Sequence, residues 1–128
     1  MNKLYVGLLI LASLTSCSDK EKREKALKDL DATQQTLIDV NNEVSNLERE
    51  LTKTIGELEV AKDDINQVKE FQLLRTEAER EQQIRNATEY KLKIEENIET
   101  IKSNIEYFKD SANRTEKKIA GLKEFLKN

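Results

Sequence analysis

Covalent chemistry has few places to start in this chain. Cys17 is the single cysteine among 128 residues, and there is no His. Nucleophilic triads and the usual zinc ligand sets need what is missing, so the residues do not point to an enzyme or a metal centre. Gly7, Gly56 and Gly121 are isolated, which leaves no Gly-rich loop to cradle a phosphate or a nucleotide cofactor. Adjacent acids such as Asp63-Asp64 and Glu95-Glu96 could suggest acid–base work. Neighbouring residues on a helix point to different faces, so these acids read as solvated surface. The expectation is no catalytic residue, no cofactor and no metal.

The composition says which elements could position Cys17. Charged residues make up 37% of the chain, aromatics 5%, and Pro is absent. So little turn material argues against sandwiches, barrels and βαβ units. Mean hydropathy is −0.74, too low for a thick globular core, while 37% hydrophobic residues are too many for a disordered chain. Long amphipathic helix satisfies both limits, because it buries a narrow stripe and solvates the rest.

Ahead of Cys17, Lys3 supplies a positive charge, and Leu4 to Leu14 (LYVGLLILASL) is apolar or small throughout. Such a run is too short to span a bilayer as a helix and matches the apolar region of a secretory signal. Leu14-Thr15-Ser16-Cys17 resembles the lipobox of bacterial lipoproteins, with an aliphatic residue, two small residues and then the cysteine. The resemblance covers about the first 17 residues. It implies cleavage before Cys17, lipid on the thiol, and acylation of the new amino terminus by a palmitate-type chain. It also gives the lone thiol of an exported chain a purpose, since a single Cys cannot close an internal disulfide. Several acyl chains anchor stably where one is marginal. Ser18 stands where an Asp would favour inner-membrane retention in enteric-type lipoproteins, which implies the outer membrane. Asp19-Lys20-Glu21 resembles, in part, the acidic tract that carries some lipoproteins of the Bacteroides group to the cell surface.

Beyond the anchor, two heptad runs organise the chain. The first has Leu30, Leu37, Val44, Leu51, Leu58 and Ile65 at one position, interleaved with Ala26, Thr33, Val40, Leu47, Thr54, Ala61 and Val68. The second comprises Ile94, Ile98, Ile101, Ile105, Phe108, Ala112, Thr115, Ile119, Leu122 and Leu126. Patterns sustained over this many heptads specify a coiled coil. The seam expected from them consists of Leu30, Leu37, Val44, Leu47, Leu51, Leu58, Ile65, Ile94, Ile98, Ile101, Ile105, Phe108, Ile119 and Leu122. The two runs are out of phase. At about 100° per residue, an unbroken helix would rotate the seam by about 100° between them. The fold class is therefore all-α, a long helical hairpin forming an antiparallel coiled coil, with a single interrupted helix that oligomerises as the alternative.

The polar stretch between Arg75 and Tyr90, and the Asn86/Glu89 spacing of a helix cap, place the break at 83–89. Domain boundaries follow: a signal at 1–16, a lipidated Cys with a short tether at 17–25, a first helix at 26–82 and a second at 90–127. In this register residues 109–128, with six bases and three acids, fold onto 42–60, with two bases and five acids. Opposite flanks of this kind specify partner and orientation. A first helix of about 95 Å would outrun a second of about 60 Å. Residues 22–41, with Leu27, Leu30, Leu37 and Val40, would then lack a partner within the chain and could drive self-association.

The functional expectation is a lipid-anchored structural or interaction arm in the bacterial cell envelope, binding another envelope protein or itself. Two alternatives remain: a binding or chaperone module similar to periplasmic adaptor hairpins, and an envelope spacer like the murein-linked lipoprotein, whose terminal Lys is replaced by Asn128 here. The Lys-rich stretch Lys20 to Lys28 is interrupted by Asp19, Glu21, Glu24 and Asp29. It suits proximity to anionic head groups better than nucleic-acid binding.

Overall fold

The computed structural model describes the backbone of residues 2–70 and 75–128, and the side chains from residue 18 onward outside 71–74. The lipobox side chains Leu14, Thr15, Ser16 and Cys17 lie outside the described residues. Two helices account for the described chain: α1 (Asn2–Glu70) and α2 (Glu77–Lys127). They pack against each other as a helical hairpin, and no strand occurs among the described residues.

Both helices owe their seams to strict heptad spacing. On α1 the residues from Ala26 to Val68 that recur at alternating steps of four and three are all buried or half-buried, and most of the residues between them are exposed. On α2 the same alternation runs from Arg80 through Ile84, Ala87, Lys91 and Ile94 to Leu126. The second run is thus longer than its aliphatic members indicate. Arg80 and Lys91 stand in seam positions near the start of α2. Arg80 Nε is buried with no hydrogen-bond partner among the described residues, and Lys91 Nζ pairs with Glu95 Oε1 at 3.5 Å while its methylene stem can cover apolar neighbours.

Residues 83–89, where the break is expected, are helical; α1 ends at Glu70 and α2 begins at Glu77. Thr76 and Glu79 form a capping box: the Glu79 amide donates to Thr76 Oγ1 at 3.3 Å, and the Thr76 amide donates to Glu79 Oε2 at 3.3 Å. The Arg80 amide donates to the Thr76 carbonyl at 3.0 Å and closes the first turn. Glu77 and Glu79 place negative charge in that turn, where the helix dipole favours it.

The chain divides into two compact units, each containing a stretch of both helices. Unit 1 comprises residues 1–40 and 111–128, and unit 2 residues 41–110. In unit 1 Ala26 and Thr33 on α1 and Ala112 and Ile119 on α2 are buried. Arg23 donates to the Leu126 carbonyl at 2.6 Å, so a base from the beginning of the described chain caps the last turn of α2. The expectation that residues 22–41 lack an internal partner is therefore overturned. With the break earlier than expected, α2 is long enough to reach Arg23, and residues 111–126 cover that stripe. Leu30, Leu37 and Val40 are half-buried, while Leu27 stays 54% exposed.

Two of the most buried positions are polar. Thr33 and Thr54 are 7% and 4% exposed, and each hydroxyl donates to the carbonyl four residues earlier, that of Asp29 and of Glu50 respectively. The hydroxyl costs little there because its partner is supplied locally. Replacing Thr54 by Val keeps the shape and leaves the Glu50 carbonyl bonded within the helix. Thr54→Val is expected to raise stability by about 0.5–1 kcal/mol in urea titration.

Candidate functional site

The seam of unit 2 is the best-defined site. Leu47 packs with Ile101 and Ile105, and Leu51 and Phe108 close around them. Nearer the turn, Ala61 packs with Ile94 and Ile98, flanked by Leu51 and Leu58. Leu51 joins the two clusters. As residue numbers rise on α1 they fall on α2, so the pairing is antiparallel. Ala61, only 2% exposed, is small where two isoleucines face it, and small-against-large pairing lets the layers interdigitate.

The residues expected on the seam divide by depth. Leu47, Ile94, Ile98, Ile101, Ile105 and Ile119 are buried, whereas Leu30, Leu37, Val44, Leu51, Leu58, Ile65, Phe108 and Leu122 are half-buried. The deepest α1 positions are the interleaved ones, Ala26, Thr33, Thr54 and Ala61, which carry less aliphatic volume than their neighbours. Seam members missed from sequence are Arg80, Ile84, Ala87 and Lys91. Extending the step of three and four backward from Ile94 would have found them.

Electrostatics add little to the packing. One described ion pair crosses between the helices, Lys109 Nζ to Glu48 Oε1 at 3.4 Å, with both side chains more than half exposed. Lys91–Glu95, Lys62–Glu59 and Lys102–Glu99 lie within single helices at 3.5, 3.5 and 3.6 Å. Exposed pairs of this sort contribute under about 1 kcal/mol each. The charge match expected between 109–128 and 42–60 does not hold along its length. The earlier turn sets 111–128 beside residues up to 40, and residues 22–41 balance four bases with four acids.

Off the seam, Leu27, Ile38, Ile55, Val60, Tyr90, Leu92, Tyr107 and Phe125 are each at least 43% exposed. In unit 2, Val60 and Tyr90 border an open depression with Lys53, Gly56, Glu57 and Asp64. Tyr107 also meets Phe108 edge to face, with ring centroids 5.3 Å apart. Among the described residues no group of three or more acids or Cys could hold a metal ion, and no helix is long and apolar enough to cross a membrane. Comparison with protein-family models, curated proteins and solved structures finds no match to the chain.

Proposed function

We propose that this chain is a bacterial lipoprotein, held on the outer membrane through Cys17, whose helical hairpin is a non-catalytic interaction arm of the cell envelope. The observation that carries the reading is the internal pairing of both heptad stripes. Because α1 and α2 bury each other's seams, the hairpin needs no partner to hide its core. Its exposed apolar residues, Leu27, Ile38, Val60, Tyr90, Leu92 and Tyr107, are then free to contact another envelope protein. The lipobox-like Leu14-Thr15-Ser16-Cys17 supports the anchor, and anchoring raises the effective concentration of the arm at the surface.

The anchor is tested in cells that express the full chain. The wild-type protein is expected in the membrane fraction, with mass spectrometry showing Cys17 at the amino terminus and carrying lipid. Cys17→Ser is expected to abolish lipid attachment and membrane retention while leaving the helical signal of the hairpin unchanged. An unmodified Cys17 in the wild-type protein would remove the reading. For the arm, crosslinking in intact cells is expected to capture a defined envelope protein. Val60→Asp with Tyr90→Ser should weaken that capture.

A further inference from the structure

The return of α2 to Arg23 places two charged segments side by side in unit 1. Residues 18–29 contribute five bases and four acids, and residues 116–128 four bases and two acids, so the end of this unit is net basic. Phe125, 50% exposed, stands among them. Phe125 borders one open depression with Asp19, Lys20, Arg23 and Asn128, and another with Lys22, Lys25 and Asp29. An exposed aromatic bordered by four bases and two acids, with Lys20 three residues along the chain from Cys17, has the chemistry of a membrane-surface contact. By contrast, residues 41–110 carry seventeen acids against eleven bases.

We infer that the end of α2, through Lys123, Phe125 and Lys127 together with Lys20, Lys22 and Arg23 of α1, docks on the anionic phospholipid surface that holds the lipid anchor. The inference rests on the lipoprotein reading, which puts a membrane next to residue 18. Anionic head groups attract the bases within a Debye length, and Phe125 inserts at the head-group boundary. The acidic balance of unit 2 gives that surface no comparable attraction. The Arg23 bond to Leu126 keeps the two basic segments together.

The test uses residues 18–128, which contain every described packing contact of both units, so the outcome does not depend on lipid at Cys17. Co-sedimentation is measured with vesicles of phosphatidylcholine alone and with vesicles containing phosphatidylglycerol. Binding is expected only with phosphatidylglycerol, and release is expected at high salt. Lys123→Glu with Lys127→Glu should lower the partition coefficient by at least about tenfold. Phe125→Ala should lower it several-fold, with circular dichroism checking that each variant remains helical. Lys62→Glu with Lys69→Glu makes the same change in net charge on unit 2 and should bind as the wild type does. Equal binding to both vesicle types, or an equal loss in the two double variants, overturns the docking surface. Mass spectrometry of Cys17 judges the anchor separately.

Discussion

Ile101→Asp is expected to unfold the hairpin. Ile101 is 3% exposed and packs with Leu47 and Ile105, with no base among its described packing neighbours to pair a new carboxylate. An unpaired charge at such a site costs several kcal/mol, comparable with the whole stability of a small domain, about 5–15 kcal/mol. Two helices that have only each other share one fate. When the seam opens, each is left as a separate helix with little tertiary support, and the helical signal falls with the packing. Circular dichroism at physiological temperature should lose most of its helical amplitude. Leu92→Asp, at a position 50% exposed on the same helix, should cost less than about 1 kcal/mol. Equal behaviour of the two variants would refute the seam.

A proline scan across the turn should give opposite results at two nearby sites. Asn86 lies inside α2, so Asn86→Pro removes a helix hydrogen bond and clashes with the preceding turn, at a cost of about 3 kcal/mol or more. Glu77 is the first residue of α2 after the Thr76 cap, where an amide has no partner within the helix and the fixed φ of proline suits the helix. A helix N-cap such as Thr76 typically takes the extended backbone that a following proline requires. Glu77→Pro is expected to change stability by less than about 0.5 kcal/mol, apart from the small loss of a favourable first-turn acid. Thermal melts of the two variants separate a second helix that begins at Glu77 from one that begins after a turn at 83–89.

How much of this could be read from sequence depended on where side-chain type and position agreed. From Ile94 to Leu126 most seam positions are aliphatic, so the second helix was plain, and the phase difference between the runs favoured the hairpin, which the structure has, over a single interrupted helix. The turn was misplaced because seam positions 80, 87 and 91 hold Arg, Ala and Lys, which mimic a polar linker. Neither Gly nor Pro marks the actual break. The discriminating signal, Thr76 with Glu79, was one of several Ser/Thr/Asn-x-x-Glu spacings in a Glu-rich chain, and only coordinates show which one is bonded as a cap. That shift of about a dozen residues in the turn carried through to every paired position. It moved 111–128 from the acidic stretch of α1 to its balanced beginning, leaving Lys109 beside Glu48, and covered the stripe that had been left open. The Arg23 bond to Leu126 was illegible for the same reason, since it exists in only one register.

That bond also fixes how unit 1 meets a mechanical load. Tension applied between Arg23 and Leu126 would act across paired helices at one end, the direction in which a zipper opens. The layers of that unit would then part in sequence, each resisting alone. A pull directed along the helices must instead shear many layers together. A load carried by one of the two helices alone avoids the peeling geometry and leaves the seam of that unit closed.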